Sequence, residues 1–417
     1  MSAQGRPAST QAPAFLLGAA ALAVWLVPAL LPRIVTLIGF EFPDKWFLDS
    51  YAILASGDAV RAGINPERPN PLDILHRPHS YSDWWFLLEK LGLTRADNFA
   101  VGLTWVAVFL VLAVLVLRVR TYREALLGLV FLASPVVVLG VFRANNDLVI
   151  FSLIAAAALF LRSGRPARLA GAGAMVALAT GLKFYPVVAG LHVILVRPGR
   201  RMLKCAIALA IVLGLVVWNV WSTIGRGEFG IPIDVHKTGL PILLSDLGLA
   251  GRGVQALGAA VIATFGLAAA RRRWTTGLAR DDSDPGARGA FLLGAVLLAA
   301  CFVAGISHGY RWIFALLLVP WLRSEWSRAG STTAARRAVG LALGLLVLVC
   351  WGDGLLCLGL NLFWTPQPVP AVDHVEKLWR LATQPLHWLL VGLLAGWLWD
   401  AVFAGWRAWR EDAVSPR

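Results

Sequence analysis

Acidic side chains are scarce in this chain, with 24 Asp and Glu in 417 residues. An acid beside an apolar segment is therefore a candidate for chemistry. Asp49 and Tyr51 lie in the stretch FLDSY, shortly after the first long apolar run. Their apolar neighbours Trp46, Phe47 and Leu48 would hold a carboxylate against the surface of a bilayer. A carboxylate at the mouth of a membrane cavity can act as a general base on a hydroxyl group.

Lys183 is a second candidate, because it stands between apolar segments in ATGLKFYP. An ionisable group inside a membrane span costs about 2.5–3.5 kcal/mol on insertion, so its presence needs a reason. Either Lys183 pairs with a carboxylate for structure alone, or its ammonium binds an anionic headgroup in a cavity. The sequence leaves both interpretations open.

Two polar turns add further candidates. In RANND, Asp147 either caps the following helix or joins a site, and Arg143 either pairs with it or binds phosphate through its planar fork. In SHGYR, His308 precedes Arg311 by three residues. This histidine is either a polar anchor at the membrane interface or, with Arg311 and Lys183, part of a phosphate site.

The elements that must position these residues are membrane-spanning helices. The chain is 58% hydrophobic and 15% charged, against about 25% charged for a soluble protein. Nearly charge-free runs occur at 101–117, 205–221, 251–270 and 338–352, close to the roughly 20 residues that cross a bilayer as a helix. We therefore predict an all-α polytopic membrane protein, with residues 1–417 forming one integral membrane domain.

The basic residues give the expected topology. A formal charge of +14 could indicate nucleic-acid binding in a soluble protein, but here the positive charges fall in short blocks between apolar runs. Such blocks mark cytoplasmic loops, so nucleic acid is excluded as a partner. Placing every block in the cytoplasm gives about 10–12 crossings, some short or broken, with both termini cytoplasmic. The predicted spans are 14–39, 98–117, 124–141, 147–161, 205–222, 251–270, 289–306, 312–322, 338–357 and 386–405.

One segment is too short for two full spans. The basic blocks ending at 168 and starting at 197 both lie on the cytoplasmic side, which predicts two half-helices that break near 181–186. Such a break is tolerated only where protein or a water-filled cavity surrounds it.

The predicted extracytoplasmic loops are long, at about 40–97, 223–250 and 358–385. Within the first, residues 80–91 have an amphipathic pattern that predicts an interfacial helix, with Trp84 and Trp85 at headgroup level.

The four cysteines have no CxxC spacing and lie in or beside apolar runs. We therefore expect buried reduced thiols rather than disulfides or a zinc site. We also expect no obligatory metal and no other cofactor.

The chain resembles the GT-C superfamily of membrane glycosyltransferases, and within it the polyprenyl-phosphate-mannose-dependent family 87. Four stretches carry the resemblance: FLDSYAILASGDAVRAGINP (47–66), RANNDLVIFSLIAAAALF (143–160), GAGAMVALATGLKFYP (171–186) and SHGYRWIFALLLVPWL (307–322). The family's catalytic acid in the first extracytoplasmic loop falls on Asp49, its lysine on Lys183 and its late histidine on His308.

The resemblance implies an inverting transferase in the bacterial inner membrane, acting on the extracytoplasmic face with the lipid bilayer as its setting. Its donor would be a polyprenyl-phosphate sugar, with mannose as the family-based choice, and its acceptor a glycolipid or glycan. Asp49 would be the catalytic base. The substrate-binding residues would be Tyr51, Arg143, Asp147, Lys183, His308 and Arg311.

Three other functions compete, one of them a non-catalytic membrane scaffold, which would not require a lysine at a helix break. A transporter or flippase of lipid-linked sugars would also use an intramembrane lysine at a broken helix, but the chain shows no inverted repeat. An O-antigen polymerase or ligase also has many spans, but its large loop comes late in the chain, whereas the longest loop here is the first.

Overall fold

The computed structural model describes residues 11–30, 46–162, 165–191, 200–224, 237–249, 251–278, 284–305, 307–328, 332–363 and 369–414. Apart from two paired strands of two residues each, β1 (Lys237–Thr238) and β2 (Ser307–His308), the described elements are helical. The α-helices are α1 (Ala12–Leu30), α2 (Leu48–Arg61), α3 (Leu87–Lys90), α4 (Asn98–Leu117), α5 (Tyr122–Leu132), α6 (Pro135–Phe142), α7 (Asp147–Phe160), α8 (Pro166–Leu182), α9 (Arg200–Ile224), α10 (Leu240–Asp246), α11 (Arg252–Arg271), α12 (Pro285–Ala304), α13 (Val319–Ser327), α14 (Thr333–Phe363) and α15 (Val369–Val414). Four 3-10 segments join them, at Asp83–Phe86, Arg95–Asp97, Tyr185–Gly190 and Gly309–Leu317.

Five of the described helices are long and apolar enough to cross a membrane, and the bent pair α5 and α6 would make a sixth span. Shorter apolar helices accompany them, at Ala12–Trp25, Asp147–Phe160, Ala167–Leu182 and Leu209–Asn219. The chain is thus a polytopic helical membrane protein with full-length, short and bent helices, as predicted. Span 1 is helical over Ala12–Leu30, and the rest of its predicted range lies outside the described residues.

An aromatic core lies directly under the RANND turn. Phe151, one turn into α7, packs against Phe109 of α4 and Phe314, with ring centroids 5.0 and 6.0 Å away. All three side chains are fully buried. Because bulky rings fill this layer, the start of α7 is held rigidly where Asp147 begins it.

The predicted span 124–141 is not one straight helix. It divides into α5 and α6, which meet at an angle of 62°. Pro135 begins α6, and the preceding Ser134 is extended with φ −67° and ψ 149°. A proline lacks the N–H that would continue the helix, and it disfavours helical backbone in the residue before it. The predicted span is therefore a pair of helices bent at Ser134–Pro135, and not one continuous helix.

The predicted break near Lys183 is confirmed. Helix α8 ends at Leu182, and Lys183 has the extended backbone angles φ −149° and ψ 125°. The chain continues as a 3-10 segment over Tyr185–Gly190 that contains Pro186. The end of the second predicted half-helix, from residue 192, lies outside the described residues.

The tryptophans of the first loop are turned toward the protein. Residues 83–90 do form helical turns, as the pattern predicted. However, Trp85 is buried and donates a hydrogen bond from Nε1 to the Leu182 carbonyl at 3.1 Å. Trp84 donates to Asn219 at 2.7 Å. These indoles fasten the loop over the end of α8. The burial of Trp85 makes its prediction as a headgroup anchor wrong, whereas the headgroup-level placement of Trp84 stays a prediction.

The loop predicted at 358–385 is largely helical. Helix α14 continues to Phe363, and α15 runs from Val369 through Pro385. The prolines suggested a loop, but Pro370 falls in the first turn of α15, where no helical N–H is needed. Trp379 donates to Asp353 at 2.9 Å and thereby ties α15 to α14.

Basic blocks converge at one end of the bundle. Arg162 donates to the Leu115 carbonyl at 2.9 Å, Arg323 donates to the Arg118 carbonyl at 3.2 Å, and Arg118 pairs with Asp284. Residues of the RANND turn lie at the other end of α7 from Arg162. The basic blocks at 118–123, 162–168 and 323–337 therefore share one end of the bundle, which is the arrangement that the positive-inside rule predicts for cytoplasmic loops.

We predict that Gly102→Ala destabilises the protein. A Cβ on Gly102 would lie 2.4 Å from Cδ2 of the fully buried Phe47 ring. Overpacking of this kind costs about 1–3 kcal/mol, so the melting temperature of the purified protein should fall by several degrees.

The matched control is Gly344→Ala in α14, where a Cβ would meet no atom within 4 Å. Alanine favours helix over glycine by about 1 kcal/mol, so this variant should melt at or above the wild-type temperature. A Gly102→Ala protein as stable as wild type would contradict the packing of Phe47 on α4.

Candidate functional site

The entrance to α2 is fixed by the backbone. Phe47 has a left-handed conformation with φ 65°, which turns the chain into the helix. Its N–H donates to the Phe142 carbonyl, and the Asp49 N–H donates to the Arg143 carbonyl, both at 2.9 Å. The FLDSY segment is therefore bonded to the end of α6, and this brings Asp49 to the RANND turn.

Asp49 binds Arg143 through two parallel hydrogen bonds. Nη2 of Arg143 donates to Oδ1 at 2.8 Å, and Nε donates to Oδ2 at 3.0 Å. The Asn145 amide also donates to Oδ2 at 2.6 Å. The Asp49 side chain is only 4% exposed, so this is a buried, charge-assisted fork.

Arg77 completes the shell of donors around Asp49. Its Nη1 donates to Oδ1 at 3.0 Å, and its Nη2 donates to the Leu48 carbonyl at 2.8 Å. The same guanidinium binds both oxygens of Asp73, at 2.9 and 3.0 Å. Arg77 is therefore anchored by Asp73, and each Asp49 oxygen already accepts two hydrogen bonds.

These contacts decide the charge of Asp49. Burial alone would raise the pKa of this carboxyl, but the charges of Arg143 and Arg77, together with hydrogen bonds from Arg143 and Asn145, outweigh it. They hold the pKa of Asp49 far below its ordinary value of 3.8. Asp49 is an anion at every physiological pH.

The RANND turn divides its side chains between two groups. Ala144 adopts a left-handed conformation with φ 42°, and the Asn145 Oδ1 accepts from the Asp147 N–H at 2.9 Å. Arg143 and Asn145 consequently face Asp49, whereas Asn146 and Asp147 face the break after α8. All four side chains from Ala144 to Asp147 are at most 1% exposed.

Asp147 is the centre of the second group. Its Oδ1 accepts from Lys183 at 2.5 Å and from the Tyr185 hydroxyl at 2.8 Å, and Arg311 lies 3.9 Å from Oδ2. Lys183 also donates to Asn146 at 2.7 Å. The Asp147 carboxylate therefore pairs with cations, and helix capping is not its role in the described contacts. Its Oδ2 accepts no hydrogen bond from the described residues.

Tyrosine rings line the space near these carboxylates. The ammonium of Lys183 lies 5.9 Å from the Tyr81 ring and 5.8 Å from the Tyr185 ring. The Arg311 guanidinium lies 5.0 Å from Tyr185. The rings shield the cations from solvent while leaving hydroxyl groups as hydrogen-bonding partners.

His308 reaches this region through β2. Its backbone pairs with Lys237 of β1, and its ring stacks on Tyr310 at a centroid distance of 4.9 Å. Arg311 follows in the 3-10 segment and turns to Asp147.

Tyr51 does not join this cluster. Two residues along a helix are about 200° apart, so Tyr51 and Asp49 leave α2 on opposite sides. Tyr51 lies beside Arg95, whose Nε pairs with Asp58 at 2.7 Å. The substrate-binding role of Tyr51 stays a prediction, and its place on the opposite side of α2 from Asp49 counts against it.

The cluster carries more positive than negative charge. Its four cations, Arg77, Arg143, Lys183 and Arg311, face three carboxylates, Asp49, Asp73 and Asp147. An anion with one negative charge would balance it. Buried cations with planar forks suit a phosphodiester.

No group of three or more His, Cys, Asp or Glu side chains in the described part of the chain could hold a metal ion. Cys301, Cys350 and Cys357 are buried and in the thiol form, and the side chain of Cys205 is not among those described.

A family model described as Glycosyltransferase family 87 matches residues 91–305, just over half of the 417 residues. The chain belongs to glycosyltransferase family 87. No curated protein and no solved structure matches it. As a family 87 member, the protein is a membrane glycosyltransferase. This confirms the predicted class of enzyme.

The family 87 match covers only part of the cluster. Arg143, Asp147 and Lys183 lie inside the matched residues, whereas Asp49 and Arg311 lie outside them. The structure brings these five residues together around one turn. Their individual roles in the transferase stay predictions.

Several residues of this cluster were missed by sequence reasoning. The polar loop around Arg77 resembles an ordinary solvated loop, although Asp73 and Arg77 have the spacing of a helical ion pair. Asn145 was visible in RANND only as a turn residue. Tyr81, Tyr185, Asn146 and Tyr310 gave no signal beyond their nearness to named candidates.

We predict that Asp49 links stability to pH. Because folding lowers its pKa, its ion pairs stabilise the protein above the unfolded pKa of about 3.9, and this contribution is lost as the pH falls. Asp49→Asn lacks the ionisable group and leaves buried cations unpaired, at a cost of about 3–5 kcal/mol near neutral pH. The gap in melting temperature between wild type and this variant should therefore stay constant from pH 7 to about pH 5 and narrow progressively as the pH falls below about 4.

The control is Glu89→Gln, a carboxylate of the same loop that lines a surface cavity. The melting temperature of Glu89→Gln should stay close to that of wild type over the same pH range. A gap for Asp49→Asn that stays constant below about pH 4 would contradict a lowered pKa for Asp49.

Proposed function

We propose that this family 87 protein transfers a sugar from a polyprenyl-phosphate donor to a glycolipid or glycan acceptor. Mannose is the first choice for the sugar, and the superfamily would be GT-C. The observation that carries the proposal is that one turn, residues 143–147, places two buried carboxylates among four cations. A phosphodiester donor and a hydroxyl acceptor need those two kinds of group.

The donor phosphate would bind on the side of Lys183 and Arg311. Both cations lie beside Asp147 and near the ring of Tyr185. The single charge of a phosphodiester would balance the excess positive charge of the cluster. These cations would also stabilise the phosphate as it leaves, because its negative charge grows when the bond to the sugar breaks.

Asp49 is the proposed base, but its pKa is too low for an efficient proton acceptor while both guanidiniums hold it. The Arg77 guanidinium donates two hydrogen bonds to Asp73. The Arg143 guanidinium instead donates both of its hydrogen bonds within the described residues to Asp49. Arg143 is therefore the cation that a bound phosphate would share. That sharing would loosen the fork, raise the pKa of Asp49 and leave one of its oxygens for the acceptor hydroxyl.

The proposed transfer of the sugar is a single displacement at the anomeric carbon. The acceptor oxygen forms a bond to the anomeric carbon as its proton passes to Asp49. The bond from the anomeric carbon to the phosphate oxygen breaks on the opposite face, and polyprenyl phosphate leaves with the electron pair. Attack from the opposite face inverts the configuration, and His308 would contact the donor or acceptor from the Tyr310 side.

The proposed location is the bacterial inner membrane, with both termini in the cytoplasm and the cluster on the extracytoplasmic face. Three basic blocks, around Arg118, Arg162 and Arg323, lie at the other end of the bundle from this cluster, which supports this orientation under the positive-inside rule. A lipid-linked donor suits that face, where nucleotide sugars are absent.

We predict that Asp49→Asn lowers transfer by about 10²–10⁴-fold, the usual range for loss of a general base. The measurement is transfer of radiolabelled mannose from polyprenyl-phosphate mannose to membrane glycans by purified protein. The variant should remain monodisperse and retain donor binding, since the proposed phosphate cations are unchanged.

Asp58→Asn is the matched control, since Asp58 also lies on α2 and pairs with Arg61 and Arg95, on the Tyr51 side. It should transfer sugar at a near-normal rate. Near-normal turnover by a folded Asp49→Asn protein would show that another group is the base. Movement of donor across vesicles without transfer by the wild type would instead indicate a transporter.

Lys183→Gln should weaken donor binding by about 10-fold or more, because one charge-assisted contact to phosphate is worth about 1.5–3 kcal/mol. Binding of polyprenyl phosphate can be measured by native mass spectrometry. The double variant Lys183→Gln with Asp147→Asn avoids leaving Asp147 buried without its partner. Lys90→Gln, on α3, serves as the control. Unchanged affinity in both Lys183 variants would place the phosphate elsewhere.

A further inference from the structure

Arginine side chains crowd around the corner where α4 ends. Arg118 follows the helix directly, and its carbonyl accepts from Arg323 at 3.2 Å. Arg162, after α7, donates to the Leu115 carbonyl at 2.9 Å. Three segments that are distant in sequence therefore bring their guanidiniums to one corner.

The start of α12 leaves room for these side chains. A Cβ on Gly286 would lie 2.6 Å from Cγ of Arg162 and 3.3 Å from Nη1 of Arg118. Only a residue without a side chain lets both arginines approach here. Asp284 caps α12 by accepting from the Gly286 N–H at 2.9 Å, and its other oxygen pairs with Arg118.

The arginines repel one another in this arrangement. Burial, followed by the charges of Arg162, Arg120 and Arg323, lowers the pKa of the Arg118 guanidinium. Glu124 lies 3.6 Å from Arg323 and offsets part of the charge. The positive-inside rule explains why arginines occur at this end of the bundle, but it does not require their guanidiniums to converge.

The corner lies at the depth of lipid headgroups. Helix α4 has 20 residues, which corresponds to about 30 Å, the thickness of the hydrocarbon layer. Arg118, immediately after its last residue, therefore stands at the membrane–water interface. The phosphate groups concentrated at that depth belong to phospholipids.

We propose that Arg118, Arg120, Arg162 and Arg323, around the start of α12, form a binding site for the phosphate of an anionic phospholipid. A basic pocket between helix ends is the usual form of such a site. The lipid headgroup would bridge arginines that otherwise repel one another and would hold α4, α7 and α12 together. This site lies at the opposite end of the bundle from Asp49 and does not depend on the proposed transfer reaction.

The test compares purified protein in nanodiscs of phosphatidylcholine alone and with phosphatidylglycerol added. We expect phosphatidylglycerol to raise the wild-type melting temperature by several degrees and to remain bound in native mass spectrometry. The double variant Arg120→Gln with Arg162→Gln should lose most of this rise. It keeps the Arg118–Asp284 and Arg323–Glu124 pairs, so it should fold.

The control is Arg271→Gln with Arg273→Gln, which removes the same charge at the end of α11 and should keep the full rise. If both double variants lose the same part of the rise in melting temperature, the rise is due to general surface charge, and the proposed site is wrong. A rise produced by inorganic phosphate in phosphatidylcholine nanodiscs would assign the site to free anions instead. No rise in the wild type would mean that Asp284 and Glu124 already neutralise the arginines, and the proposal would fail.

Discussion

The constraint on which this structure depends is that a buried carboxylate must be paired. Asp49 and Asp147 are both almost fully buried, and an unpaired charge at either place would cost several kcal/mol. One turn meets both needs, because its residues face two sides: Arg143 and Asn145 bind Asp49, while Asn146 and Asp147 both accept from Lys183. The residues that neutralise Asp49 therefore belong to the same five-residue turn as Asp147.

The irregular parts of the fold follow from that turn. Asp49 reaches it because the chain enters α2 through the left-handed Phe47 and pairs its backbone with the end of α6. Lys183 reaches it because α8 stops at Leu182 and frees the next residue from helical geometry. Trp85 then covers the exposed end of α8 by donating to the Leu182 carbonyl. A broken helix is tolerated in a membrane where other protein groups surround the break. Here the loop that carries Trp85 surrounds the break after α8.

The sequence predicted the part of the site that lies in apolar surroundings. Arg143, Asp147 and Lys183 were conspicuous because ionisable residues are costly between membrane spans, and the break after α8 followed from segment length. Arg77 was hidden because polar residues are ordinary in a loop and its partner Asp49 is 28 positions away. Tyr51 was grouped with Asp49 by nearness in sequence, although helical phase separates them. The helix start at 369 was missed because proline signals a loop unless its place in the first turn is known.

The low pKa of Asp49 and its proposed role as a base are compatible if the two arginines differ in mobility. Arg77 makes a fork with Asp73 and a bond to the Leu48 carbonyl, so moving it would leave Asp73 buried without its cation. The side-chain bonds recorded for Arg143 are those to Asp49, so a second anion can take a share of it at little cost. Under the proposed function, such a site would keep its carboxylate inert until a phosphate binds, since only then would competition for Arg143 restore the basicity of Asp49. Proton transfer would thereby be confined to the complex that holds the donor.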